Sequence, residues 1–230
     1  MVKMKKAGIA ILILVVTCFS FLLTGCKVYT VVKHDKSNGA NAGTKFYFED
    51  ESFDADKFVT SVWDSKVIPQ MDKKAADLIE VLKEMKMNVD GAGKKYGIRS
   101  SEVGSAWNFI VKAKGKVIKV NKESRNGTLD IDLAPFDNNK DVTLQIGPVF
   151  KGTSIRDSLD FIKFDDFKNQ MVYAGVSSAL NKYVREKVVN TLNTDNINGK
   201  EIEFVGAFTH ESSDNIVVTP VKVLQTGGGN

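Results

Sequence analysis

An α+β fold is predicted, and three observations predict it. Three stretches of alternating apolar and polar residues lie between residues 107 and 146. That period of two belongs to strands with one face buried. A segment with helical spacing follows, from Gly147 to about Leu192, and two more alternating stretches close the chain, residues 202–208 and 216–223. Three strands, a helical segment and two strands is the β-β-β-α-β-β order of a five-stranded OB-like barrel. Here the helical insert between strands three and four is long. The competing arrangement is an α+β sandwich, with helices on one face of an antiparallel sheet.

The N-terminus reads as an export signal. Lys3, Lys5 and Lys6 precede a nearly continuous apolar run, residues 7–23, which ends in Leu23-Thr24-Gly25-Cys26. A positive start, an apolar stretch too short for a typical span and small residues before a cysteine look like a bacterial lipobox. Residues 1–25 are then a signal peptide, and Cys26 is the lipidation site that attaches the chain to a membrane. Diacylglycerol brings two acyl chains, enough for stable attachment. An uncleaved anchor helix with a chance cysteine is the competing reading.

Cleavage leaves 205 residues carrying 29 basic and 28 acidic side chains. The basic pI of the whole chain thus belongs mostly to the signal, and bulk charge gives no reason to expect nucleic acid. The other cysteine, Cys18, leaves with the signal, so stability rests on the core alone.

Residues 26–51 are expected to be a lipidated N-terminus and tether: apolar VYTVV, then polar, glycine-rich HDKSNGANAGT. His34 reads there as a solvated loop residue. The globular part is expected over 52–224, with a helical cap at 52–100 and the barrel at 103–224. Ser52, Asp54 and Asp56 mark a helix start, and Phe58, Val59, Val62, Trp63 and Val67 share a face. Trp63 on that face reads as core, although an aromatic face also suits a pyranose ring. Pro69 is expected to stop this helix, with Ile68 extended. Ala75, Leu78, Ile79, Leu82 and Met85 make the stripe of a second helix, and residues 92–96 a further turn.

The first strand is long, with Trp107, Phe109 and Val111 before Gly115 and Val117 and Val120 after it. A central glycine predicts a bend, which a small barrel needs in its first strand. Leu129, Ile131 and Leu133 alternate with Asp130 and Asp132, predicting one wet face. Val142, Leu144 and Ile146 follow suit. Asn126-Gly127-Thr128 matches a glycosylation sequon and is read as a turn. In the insert, Ser154 and Asp157 have capping-box spacing, and Asp165 and Asp166 are expected to cap a longer helix. Pro220 marks the last strand as an edge or its end, and residues 225–230 as a disordered tail.

The lipobox, the Phe53…Trp63…Pro69 segment, IGPVFKGTSIRDSLDFIKFDDFKNQ and the closing GKEIEFVGAF…NIVVTPVKV together resemble a bacterial family. It is the predicted periplasmic lipoprotein family called domain of unknown function 2291. The resemblance covers most of the mature chain and is strongest over residues 147–170. It implies a periplasmic, sugar-transport context, because such proteins are often encoded beside sugar ABC-transport genes. A sugar-binding protein or a transporter component is the partner it implies. It brings no catalytic residues.

No catalytic signature is found, and no metal or cofactor is expected. Two histidines without cysteine ligands match no zinc spacing. Asp137, Asn138, Asn139 and Asp141 lack the EF-hand pattern and read as a solvated turn. The candidate patch is the corner at Gly152, Thr153, Ser154, Arg156 and Asp157, with Asn169 and Gln170 about four helical turns on. Its functional reading is a sugar- or carboxylate-binding surface; its structural reading is capping and ion pairing. An OB-like barrel would also bind through strands two and three, where Asp130, Asp132, Thr143 and Gln145 are expected exposed, and two acids there disfavour nucleic acid. The leading expectation is a lipid-anchored extracytoplasmic accessory or binding protein beside a sugar ABC transporter. A cell-envelope interaction module without a small ligand and a carboxylate-dependent glycan hydrolase are the alternatives.

Overall fold

The computed structural model describes residues 53–99, 105–211 and 215–226. Ser52, the signal segment and the tether lie outside them.

Helix α1 spans Ala55–Val62 and buries Phe58, Val59 and Val62, as the spacing predicts. Its cap is Asp54, whose carboxylate accepts the Lys57 N–H at 3.0 Å. Pro69 does not stop the helix. A five-residue π-turn, Trp63–Val67, intervenes, and α2 (Ile68–Lys74) continues with Ile68 helical at φ −60°, ψ −47°. The wider turn puts Pro69 at a helix start, where its missing N–H costs nothing. Trp63 is buried against Tyr183, with ring centroids 4.5 Å apart.

Two short strands interrupt the expected helical cap. β1 (Ala76–Asp77) and β2 (Gly97–Ile98) flank α3 (Leu78–Met87) and α4 (Val89–Tyr96). The buried stripe of α3 is Leu78, Val81 and Met85, and Ile79 faces out. Ala75 is extended and outside the helix.

β3 (Asn108–Asn121) is the long strand, and it serves two neighbours. Residues 108–116 pair antiparallel with β6 (Glu201–Thr209). Residues 115–121 pair with β4 (Thr128–Leu133), and β1 and β2 fill that edge earlier on. The handover falls at Gly115, where a Cβ would sit 2.4 Å from Ile131 Cγ2. From β4 the pairing passes to β5 (Val142–Gln145), then parallel to β7 (Val217–Thr226), then to β6 and back to β3. The expected meander and closing strands are present, in a seven-stranded sheet rather than five.

The insert differs from its prediction. α5 (Ser154–Asp157) is one turn, a 3-10 turn covers Phe164–Asp166, and α6 (Gln170–Lys187) is the long helix. Asn169 caps α6 by accepting the Val172 N–H at 3.0 Å, so neither Asp165 nor Asp166 does. Val176, Ala179, Leu180 and Val184 bury the inner face of α6. The core joins these helices to the strands, with Phe109 and Phe208 fully buried and stacked at 5.0 Å.

Pro220 neither ends β7 nor breaks it. It lies across from Gly206, where the register with β6 shifts. Pairing with β5 covers only Val217 and Val218, so beyond Pro220 one edge of β7 meets no strand among the described residues. β7 runs to Thr226, so Gln225 and Thr226 belong to the sheet and not to a tail.

The corner after β5 depends on backbone contact. At Gly147 a Cβ would lie 2.1 Å from the Gly127 nitrogen and 2.5 Å from the Arg125 carbonyl oxygen. Gly147→Ala is expected to cost on the order of 3 kcal/mol of stability, because no flexible side chain can yield there. Gly175 lies inside α6 with open space around its missing Cβ. Gly175→Ala should stabilise by roughly 0.5–1 kcal/mol. Chemical denaturation of the two variants checks both signs, and a neutral Gly147→Ala would contradict this account of the corner.

Candidate functional site

The predicted patch divides into three places. Gly152 and Ser154 face a polar cleft. Thr153, Arg156 and Asp157 turn the other way, toward α6. Asn169 and Gln170 are exposed at the start of α6, separated from the corner because the chain between is turn and 3-10 rather than continuous helix.

Each corner residue has a defined task. Gly152 adopts φ +87°, the left-handed region, and nothing lies within 4 Å of where its Cβ would be. It is required for chain direction. Its carbonyl accepts a bond from Asn181 Nδ2 at 3.0 Å. Ser154 does not cap a helix. Its buried hydroxyl donates to the Ala207 carbonyl at 3.1 Å. The cap of α5 is Thr153, whose hydroxyl donates to Asp157. A single helical turn has no useful macrodipole to offer an anion.

Arg156, Asp157 and Tyr173 form a clasp between α5 and α6. The Arg156 guanidinium reaches Asp157 Oδ1 from two nitrogens, at 2.7 and 2.8 Å. Its carbon lies 3.8 Å from the Tyr173 ring centre, and Nη1 donates to the Tyr173 carbonyl at 3.3 Å. Desolvation raises the Tyr173 hydroxyl above its ordinary value of 10.0; the Arg156 charge opposes this and the Asp157 charge adds to it.

The cleft is the larger feature. It encloses about 380 Å³. Its floor is the polar face of β4, β5 and β7, which presents Thr128, Thr143, Gln145 and Thr219. Cross-strand pairing explains the grouping: Thr128 lies opposite Gln145, and Thr143 opposite Val217. Loops at Asn126, Lys151 and Glu211 form the walls. Gln145 is committed to structure. Its amide nitrogen donates to the Lys151 carbonyl at 3.0 Å and to Thr219 at 2.8 Å, and its oxygen accepts the Lys151 N–H at 2.8 Å. Thr143 is different. It is only 7 % exposed, and its hydroxyl has no hydrogen-bond partner among the described residues.

The strand face expected to be wet is mostly buried. Asp132 is 0 % exposed, and its carboxylate accepts the N–H groups of Asn138 at 2.8 Å and Asp137 at 3.4 Å. The turn at 137–141 folds onto it. Asp141 also turns inward and accepts the Leu133 N–H at 2.7 Å. Thr143 and Gln145 do line the cleft, but buried beneath its loops. Asn126, Lys151 and Glu211 were missed because turn residues carry no signal of which strand face they overhang, and the strand residues Thr209 and Thr219 because the sequence does not say which strands lie side by side. The one signal available was the polar alternation of β7.

The closed sequence of pairings places the chain in a known architecture. A solved OB-fold protein from Thermotoga maritima superimposes with a TM-score of 0.63 at 19% identity, over 76% of this chain and 100% of that one. A search of curated proteins found no match. The chain belongs to the family described as predicted periplasmic lipoprotein (DUF2291), whose model matches residues 16–224. It is accordingly an extracytoplasmic, membrane-anchored lipoprotein.

The clasp makes a prediction at alkaline pH. A raised folded pKa means that the folded protein keeps the Tyr173 proton longer than the unfolded chain. Stability from this source is complete below about pH 10 and is lost as pH rises through the folded value. Tyr173→Phe keeps the ring and removes the proton, so its melting temperature should fall less steeply above pH 10 than that of the native chain. Equal slopes in the two proteins would show that Tyr173 does not contribute.

Proposed function

We propose that this chain is a non-enzymatic binding or accessory protein, lipid-anchored through Cys26, that holds a hydroxyl-rich ligand in the polar cleft and works beside a sugar ABC transporter. We read the ring of strands as an OB-type barrel. In that fold the face of the second and third strands, with its flanking loops, binds oligosaccharides or oligonucleotides. Here those strands are β4 and β5.

The observation that carries the reading is the lining of the cleft. Hydroxyls from Thr128, Thr143, Ser154, Thr209 and Thr219 and amides from Asn126 and Asn215 surround one cation, Lys151, and one anion, Glu211. Neutral groups that both donate and accept match sugar hydroxyls. One lysine gives little purchase on a phosphate backbone. The Thr143 hydroxyl lines the cleft and bonds no protein group among the described residues, so a ligand hydroxyl placed there would gain a hydrogen bond. The transporter association rests on the family resemblance and on the extracytoplasmic address.

Two measurements test this. Calorimetric titration of the mature domain with neutral mono- and disaccharides should find a saturable ligand. Thr143→Val keeps shape and fold, and should weaken that ligand about 3- to 10-fold by removing one hydrogen bond. A silent sugar panel, or a ligand indifferent to Thr143→Val, would remove the cleft from the account. Separately, Cys26→Ser should release the protein from the membrane fraction, whereas unchanged partition would point to another anchor.

A further inference from the structure

Phe53 stands just before α1, at the end of the globular part nearest in sequence to Cys26. The Phe53 ring lies 5.9 Å from Phe167, and Phe167 lies 5.4 Å from Tyr173. Phe164 packs edge-on against Tyr173 at 5.4 Å. A row of rings therefore joins the root of the tether to Phe164, yet Phe164 is 51 % exposed. Met171, in the first turn of α6, is 84 % exposed. Of the other exposed large apolar residues among those described, Ile79 and Met87 stand at opposite ends of α3, and Phe136 and Leu224 stand alone. Single exposures of that kind need no explanation. Phe164 and Met171 differ from them, because they stand on the 3-10 turn and the first turn of α6 that meet at one junction, and the ring chain links that junction to Phe53.

We infer that this junction is a membrane-resting face, with Phe164 and Met171 entering the lipid headgroup region of the bilayer that carries the anchor. The position of the tether root selects the occupant. From Cys26 to Phe53 the chain takes 27 steps, which span at most about 95 Å. The domain is thus held near one bilayer, where a contact too weak to bind from solution still engages. Local charges cancel: Lys163 and Lys168 stand beside Asp165 and Asp166. The contact is therefore apolar, directed at lipid of any headgroup charge and insensitive to salt. Aromatic rings and methionine suit an interface that is wet on one side and apolar on the other.

This inference rests on the Cys26 anchor and is independent of the sugar cleft. The only cysteines in the sequence are Cys18 and Cys26, so a new cysteine in the mature lipoprotein is the single free thiol. Met171→Cys, with Glu123→Cys as an exposed control, is labelled with a polarity-sensitive dye in the full lipidated protein on phosphatidylcholine vesicles. Co-sedimentation reads the anchor; the dye reads the face. The expected result is a blue shift and several-fold stronger quenching by bromolipid at 171 than at 123, unchanged at high salt and lost with Phe164→Ser. Anchored protein whose label at 171 is as wet as that at 123 overturns the inference. So does a blue shift that grows with protein density, which would assign the face to a second copy, or one that appears only when a protein partner is added.

Discussion

The change of partner along β3 at Gly115 is the constraint on which the remainder depends. One strand must leave β6 and take up β4 within a few residues, and the side chain of Ile131 occupies the space a Cβ would need there. Because one strand serves both neighbours, the pairings run from β3 through β4, β5, β7 and β6 back to β3, and the sheet has one apolar and one polar face. The apolar face takes Phe109, Leu129, Ile131, Leu144 and Phe208. The polar face of β4, β5 and β7 is left as a floor that loops can wall in. Cleft and core thus follow from the same backbone decision.

The helices answer a different problem. Asn108 to Val111 are buried without alternation, so both faces of β3 need cover at its start. Lys182 pairs with Asp56 and ties α6 to α1. Such exposed pairs orient more than they stabilise. The apolar contacts do the larger part, above all Trp63 on Tyr183 and the stripe of α6. The π-turn keeps Trp63 and Val67 both buried while letting the chain pass Pro69.

Period-two alternation made the strands legible, because it is a local consequence of burial; Gly115 marked where β3 changes partners, while the register irregularity falls between Val117 and Lys119. The cap at Asn169 was hidden by two adjacent acids that were equally good candidates. Asp132 shows the limit most clearly. Alternation assigned it to the face opposite Leu133, correctly, but what covers that face is decided by a turn several residues away. The same holds for the site. Gly152 and Ser154 do face the cleft, while Arg156 and Asp157 face a helix whose start had been placed too early. Composition could name hydroxyls and amides as the chemistry, but only the pairing of Thr143 with Val217 sets β5 and β7 side by side as one floor.

The last strand has a consequence for crowding. Beyond Pro220 it keeps β6 on one side and pairs with no strand among the described residues on the other. An open edge is a template for another chain. Anchored proteins meet their own copies in two dimensions, where local concentration is high. Lys222 lies within that edge and pairs with Asp72 of α2. Its charge, with the missing N–H of Pro220, makes strand addition unfavourable. A residue that looks like an ordinary surface lysine therefore sits where a charge opposes the addition of another strand.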